Sequence, residues 1–484
     1  MVGRDGADGG SRSGAGDAFE RAYRRGVYEE LGPPAPPAPV GRQRERREVA
    51  PPVAAAPAHA FALRGAVITP DAAWSDGYVV VENGQVAAVQ QNAPSGVDVL
   101  DTGGVILPGL LDLHGHPEFN VFAAWEPPTL FANRYRWRGS DIYHQLVRDP
   151  QNVLLEKLPA GTELRYAEIR ALVGGVTAIQ GASGAGASAA NEVLVRNVDL
   201  FVFGQHRARA MIDLPTAGSR DAPRLAKIVQ DIHDGKVDAF YLHLAEGQRG
   251  DQRSQTEYQR FLAMGAATPG TVLIHASALT ADQIHEVADA GCKLVWSPQS
   301  NLRLYGQTTL AAEALAAGMP VGLGADWLPS GSTSLLAEMK VARRELAQQG
   351  KVLAPAELVA MVTSGAAAIA GLADHLGSLA AGRPADVLVL ERHHEDPYEN
   401  VCEADPSWVE LVLIGGDVTY GRSDWFATLT SGAAGPTIEP LVAWGKTMTL
   451  DNGYRSPTGA VPPPLRTLRT LLTTNYPPVG PIFA

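Results

Sequence analysis

Alternation of apolar and polar positions sets in near Phe61. The run FALRGAVITPDAAWSDGYVVVENGQVAAVQ reads as short strands, and Asn83-Gly84 between two of them is a strong hairpin signal. From about residue 105 to 375 the pattern changes to apolar runs separated by helical stretches. Strand-like runs are VILPGLLDLHGH, VTAIQGA, ARAMIDL, AFYLHLAEG, TVLIHAS, KLVWSPQSN and PVGLGADW, with a weaker eighth in DLFVFG. Between them lie ELRYAEIRALVG, APRLAKIVQDIHDG, TADQIHEVADAG, TTLAAEALAAG and TSLLAEMKVARRELAQQG, several ending in the glycine common at helix C-termini. Seven or eight buried strands alternating with helices predict an α/β fold, a parallel (β/α)₈ barrel over 105–375; such barrels typically need ~250 residues. A doubly wound sheet would show the same alternation. Later strands, in PADVLVLER and WVELVLIGGDVTYG, predict a small β-sandwich assembled from the flanks 59–104 and 376–425.

The ends of the chain lack this order. Residues 1–58 carry Gly, Ser and Asp, then PPAPPAP and a charged stretch reaching Ala60, so an extended, poorly ordered segment is expected. One island, Asp17 to Leu31, has the periodicity of a helix, and its arginines read as a solvated face ahead of a partner or nucleic-acid contact. Residues 426–484 are rich in Pro and Gly without a strong period, and are expected to wrap the surface or meet a partner subunit.

Composition narrows the function. The chain has 484 residues, 45% hydrophobic, enough for a large core and a satellite domain. A formal net charge of −12 argues against nucleic acid or an anionic membrane surface as partner. No apolar run approaches the ~20 residues that span a bilayer. No basic start followed by an apolar stretch marks a secretory leader, so a cytoplasmic enzyme acting on a small molecule is the expectation. Cys292 and Cys402, far apart, make neither a disulfide framework nor a thiolate metal site.

The candidate chemistry lies in the histidines. His114 and His116 in LLDLHGHPE, His243 in AFYLHLAEG and His275 in TVLIHAS fall at the C-terminal ends of apolar strands. Asp326 holds the same place in PVGLGADW, and Glu246 follows His243 by three residues. In a barrel all strand C-termini open onto one face, so these residues would converge. His114 and His116 point to the same side of an extended strand. With His243 and Asp326 they would supply the protein ligands of one divalent ion. Imidazole plus carboxylate suits Zn2+, with Fe2+ and Mn2+ open.

LDLHGH, HLAE, IHAS and GLGADW, in this order, resemble the signature strands of the amidohydrolase superfamily. GSLAAGRPADVLVL, Asp396-Pro397 and VLIGGDVTYG are similar to that family's C-terminal sandwich, so the likeness covers roughly 60–425. His-x-x-Glu at His243 to Glu246 resembles the branch of cytosine deaminase, S-adenosylhomocysteine deaminase and the triazine hydrolases, which is mononuclear. Binuclear relatives use a carboxylated lysine at a middle strand end, whereas Lys227 and Lys236 lie in a helix and at its edge. The resemblance implies roles. The ion activates a water, Asp326 ligates and accepts its proton, and Glu246 carries a proton to the ring nitrogen or leaving group. His275 orients the hydroxide or polarises the electrophile. Homo-oligomers are common in the family, an expectation by analogy alone.

Departures shape the substrate expectation. Many of these deaminases follow the glutamate with Thr and a further acidic residue; here Gly247, Gln248 and Arg249 follow. After Asp326, where relatives have a small residue, stands Trp327. These changes tilt the reading to hydrolysis of an amide, cyclic amide or amidine-like carbon, with aminoheterocycle deamination as the alternative. The loop FNVFAAWEPPTLFANRYRWRG brings Trp125, Arg136 and Trp137, which with Asn301 and Trp327 are the candidate substrate contacts. An aromatic wall with a cation suits a flat substrate bearing a carboxylate; loop packing explains the same residues equally well. The glycine run from Gly181 lacks the Lys-Ser/Thr of a phosphate loop. No Gly-x-Ser-x-Gly elbow is present either. A non-catalytic barrel scaffold is the remaining reading, disfavoured because every ligand position is filled.

Overall fold

The computed structural model describes residues 60–181, 194–200, 202–453 and 461–483. The expected extension 1–58, its helix at 17–31 and most of the glycine run after Gly181 lie outside the described residues.

Strands β1 (Phe61–Ile68), β2 (Ala73–Glu82), β3 (Gln85–Gln90) and β4 (Asp98–Pro108) open the fold. The β2–β3 turn is the Asn83-Gly84 hairpin, both residues at positive φ as that turn requires. Eight short strands follow: β5 (Leu110–Asp112), β6 (Val176–Ile179), β7 (Arg196–Asn197), β8 (Ala208–Met211), β9 (Ala239–Leu244), β10 (Thr271–His275), β11 (Lys293–Trp296) and β12 (Val321–Leu323). The chain closes with β13 (Val387–Leu390), β14 (Val409–Ile414), β15 (Asp417–Arg422), β16 (Ile438–Ala443) and β17 (Lys446–Asp451).

These form an α/β protein with three sheets. Nine strands run in the order β16-β17-β15-β14-β13-β4-β1-β2-β3, joining both flanks through the antiparallel β4–β13 pair, Leu107 opposite Leu388. The middle strands form two all-parallel sheets, β5-β6-β7 and β12-β11-β10-β9-β8. Their side chains are buried on both sides, as parallel strands covered by helices must be. The first and last of these strands meet beyond their ends. Leu113 N donates to Leu323 O (3.2 Å), Asp326 N donates to His114 O (2.8 Å), and Gly115 bridges Asp326 in parallel.

Three expectations are corrected. VILPGLLDLHGH is two strands, not one. The break is Gly109, where a Cβ would sit 2.2 Å from Thr177 Oγ1, so only glycine lets the chain pass from β4 to β5. The weak strand in DLFVFG lies earlier, at Arg196 and Asn197, while Val202 and Gln205 close a turn. Hydropathy hides it because the strand is polar: Arg196 is buried in a 2.6 Å ion pair with Asp386. Residues 426–484 do more than wrap the surface. They add β16 and β17 to the large sheet and a helix, Leu465–Asn475, packed on the helix Thr162–Val173. Beyond it the tail is tied down, with Tyr166 Oη donating to Gly480 O (2.9 Å) and Gly480 N to Val121 O (2.9 Å).

Glu168, on the helix Thr162–Val173, gives a stability prediction. Its buried carboxylate accepts from Leu194 N (2.7 Å), and burial pushes its pKa from 4.5 up to about 7, against the pull of Arg165. Between those values the folded chain holds a proton that the unfolded chain releases. Stability therefore falls as pH rises from about 4.5 and levels off above about 7. Glu168→Gln is expected to flatten this part of the Tm–pH curve. An unchanged curve by calorimetry contradicts the assignment.

Candidate active site

The polar cluster sits where the parallel strands end. β5 leads into His114 and His116, β9 carries His243 with Glu246 just past its end, β10 ends on His275, and Asp326 follows β12. The backbone turns sharply there: Ala245, His275 and Asp326 lie at φ +47°, +63° and +60°. Such left-handed residues cost about 1–3 kcal/mol each and cluster at functional sites. Here Ala245 is held by its N–H donating to Glu257 Oε2 (3.0 Å), His275 by Thr309 Oγ1 donating to its carbonyl (2.5 Å), and Asp326 by its backbone bond to His114.

The side chains converge as the strand ends predict. Asp326 Oδ1 is 3.2 Å from His114 Nε2 and 3.6 Å from His116 Nε2, and Oδ2 is 3.8 Å from His275 Nε2. The ring centroids of His114 and His243 are 4.8 Å apart, and those of His116 and His243 5.5 Å. Ligand atoms of His114, His116 and His243 all lie within 4.8 Å of one another, as do those of His114, His275 and Asp326, and of His243, Glu246 and His275. All but His116, 18% exposed, are buried.

This arrangement fits a divalent cation. Nδ1 of His114 and Nδ1 of His243 are buried without a hydrogen-bond partner, and His114 Nε2 faces only the Asp326 carboxylate at 3.2 Å; an unpartnered buried nitrogen costs about 1–3 kcal/mol and calls for an explanation. Burial, then repulsion from His114, pushes His116 down to about 3 and His243 well below its ordinary value. Both imidazoles are therefore neutral at pH 7, the form that ligates metals. Burial raises the Asp326 carboxyl, but His114, His275 and His116 outweigh it and hold the group well below the usual carboxylate range. His114 differs: burial lowers it, but Asp326 outweighs burial and holds the imidazole above its ordinary value, so metal binding there is coupled to loss of its proton. Imidazoles with an ionised carboxylate are the donor set of zinc and its neighbours.

A second layer orients the first. Asp112 Oδ1 accepts from Ala325 N (3.1 Å) and His114 N (3.3 Å), tying the ends of β5 and β12 together. Asn301 Oδ1 meets His275 Nδ1 at 2.9 Å, so this buried residue supports the imidazole. The segment after Glu246 pairs with the loop after β5: Arg134 N donates to Glu246 O (3.1 Å) and Gln248 N to Ala132 O (2.8 Å). Gly247 fits there because a Cβ would lie 2.5 Å from Ala132 O.

Of the proposed substrate contacts, Trp327 packs at 6.3 Å from His116, and at 6.1 Å from Trp125 and 5.3 Å from Trp137, centroid to centroid. The aromatic residues thus stand beside the histidine cluster. Arg136 is exposed; its neighbour Arg134 is the buried one, 2.6 Å from Glu257 and 4.0 Å from Glu246. Sequence reading also passed over Tyr305, whose hydroxyl donates to Glu246 Oε1 at 2.5 Å. It lies in SPQSNLRLYG, the segment that also holds Asn301, where nothing in the sequence pattern distinguishes it. The space against His114, His116 and His243 is about 20 Å³, room for one water. A cleft of about 700 Å³ shares Ile212 with it and is lined by Arg138, Asp213, Arg220, Arg253, Glu257 and Arg260.

Residues 225–419 match the model of the Amidohydrolase family. A 5-methylthioadenosine/S-adenosylhomocysteine deaminase of Desulforudis audaxviator is 27% identical over 403 residues, 75% of this chain and 91% of that protein. An S-triazine hydrolase of Gordonia rubripertincta is 28% identical over 206 residues, 40% of this chain and 43% of that protein. Among solved structures, a zinc-bound adenosine deaminase of Xanthomonas campestris superposes with a TM-score of 0.57 at 18% identity, over 74% of this chain and 92% of that one. The zinc complex of an atrazine chlorohydrolase of Arthrobacter aurescens reaches 0.59 at 19% identity, over 74% and 94%. Among the described residues, no helix is long and apolar enough to cross a membrane.

Proposed function

This chain is related to the amidohydrolases, and we propose that it is a metal-dependent hydrolase that cleaves a C–N bond of a small cyclic or aromatic molecule. The observation that carries the reading is the convergence of His114, His116, His243, His275, Glu246 and Asp326 from the ends of β5, β9, β10 and β12. His114, His116, His243 and Asp326 would hold one divalent ion, zinc first among candidates. When bound, such an ion lowers the pKa of a water toward ~7. Asp326, ionised and facing the imidazoles, takes the proton that the water gives up. Glu246 delivers a proton to the leaving nitrogen, and His275, held by Asn301, polarises the carbon under attack. Trp327, Trp137 and Trp125 form the apolar wall, and the arginines of the neighbouring cleft suit an anionic substituent.

The same reading closes the two parallel sheets into one (β/α)₈ barrel over 105–375, supported by the Gly115–Asp326 bridge. Seven strands of the large sheet, β1 to β4 and β13 to β15, would then be the sandwich built from 59–104 and 376–425, with 1–58 and 426–484 as extensions, the second of which adds β16 and β17. Release of ammonia from an amino-substituted ring is the second reading, favoured by the deaminases among the relatives. An assay of zinc-loaded and metal-stripped enzyme against aminoheterocycles, primary amides and lactams separates them. Metal-dependent ammonia from rings makes the chain a deaminase, and ring opening or amide cleavage without it supports the first reading. Equal activity with and without metal rejects both.

A further inference from the structure

Glu246 ends a chain of hydrogen bonds whose direction is fixed by chemistry. Trp137 Nε1 lies 2.8 Å from the Tyr305 hydroxyl, which lies 2.5 Å from Glu246 Oε1. An indole N–H can only donate, so the Tyr305 oxygen accepts from it, and the single phenolic proton is left to point at Oε1. Burial, with the facing Glu246 carboxylate, holds the phenol well above its ordinary pKa, so the proton stays on Tyr305. Oε1 is therefore an acceptor whether Glu246 is charged or neutral. The other oxygen, Oε2, faces the cluster, 3.9 Å from His275 Nε2 and 4.0 Å from Arg134. Arg134 binds Glu257 (2.6 Å) and Asp213 (3.1 Å) through Nη2, while its buried Nη1, the nitrogen 4.0 Å from Oε2, is too far to hydrogen-bond it.

We propose that Trp137 and Tyr305 confine the exchangeable proton of Glu246 to Oε2, making Tyr305 a positioning residue for the proton transfer. The inference rests on the reading of Glu246 as proton carrier. The backbone reinforces it. Tyr305 closes the helix Pro298–Tyr305 and its carbonyl accepts from Gln248 Nε2 (3.0 Å), while Glu246 O accepts from Arg134 N. Hydroxyl and carboxyl thus sit on segments tethered to each other. Without the phenolic donor the proton can occupy either oxygen and the carboxyl can rotate, so part of the population points its proton away from the reacting atoms.

The test compares holoenzyme carrying Tyr305→Phe, Trp137→Phe or both, by steady-state kinetics, metal analysis and crystal structures. Tyr305→Phe is expected to lower kcat about 10- to 100-fold, the range for a lost hydrogen bond to a charged group, with KM within about twofold and metal content unchanged. Trp137→Phe should lower kcat less and add nothing to the kcat loss in the Tyr305→Phe background, as expected of groups acting in series; its place in the apolar wall shifts KM by the same factor in both backgrounds. In the Tyr305→Phe crystal structure the Glu246 carboxyl should rotate or spread over two conformers while His243, His275 and Asp326 stay in place. A kcat within about twofold of wild type, an effect confined to KM, or an unmoved Glu246 overturns the proposal. A wild type inert toward every substrate would instead contradict the reading of Glu246, and the crystal structures would still decide the hydrogen-bond chain.

Discussion

Glu246→Gln is expected to lower kcat by about 10²–10⁴-fold, the usual contribution of a positioned general acid or base, while the protein keeps its metal and its fold. The substitution preserves shape, and the amide oxygen can still accept from Tyr305 at the Oε1 position. What it removes is the carboxyl's capacity to carry a proton at the oxygen 3.9 Å from His275. Since Glu246 is not among the four proposed ligands, bound metal should match wild type. Steady-state kinetics with metal quantification on the same preparation checks both parts. A variant within about tenfold of wild-type kcat, or one that has lost its metal, contradicts the assignment.

Asp326→Asn is expected to have the larger effect, a loss of at least about 10⁴-fold in kcat/KM. Asp326 touches the cluster from two oxygens, with His114 and His116 on Oδ1 and His275 on Oδ2. It is the carboxylate among the proposed ligands, so an amide there weakens metal binding and removes the acceptor of the water's proton. Two roles are lost in one substitution, whereas Glu246→Gln loses one. The backbone bond from Asp326 N to His114 O is unaffected, so far-UV circular dichroism should be unchanged. Measurable activity at a tenth of wild type would mean that another group accepts the proton.

The site was more legible in the sequence than its surroundings, and for a physical reason. β9, β10 and β12 are continuous apolar runs ending in His243 and Leu244, in His275, and just before Asp326, so the hydropathy edge and the chemistry coincide. The break between β4 and β5 was invisible because Pro108-Gly109-Leu110 interrupts no hydropathy; only the approach of Thr177 reveals it. β7 was misplaced because its burial is offset by the Arg196–Asp386 pair, a contact 190 residues away in sequence. β16 and β17 escaped notice because their exposed faces blur the alternation. Arg136 and Arg134 could not be distinguished by composition. Glu257, on the helix Gln252–Ala263, and Asp213, in the loop after β8, decide which arginine turns inward. Trp327, a departure from the family pattern, proves to be the centre of the aromatic wall.

Metal content per chain, measured by elemental analysis of the purified wild type and His243→Ala, is the most direct check that these strand ends form one metal centre. One divalent ion per wild-type chain is predicted, lost from the variant together with hydrolysis. Two ions per chain, or full hydrolysis by metal-free protein, would contradict it.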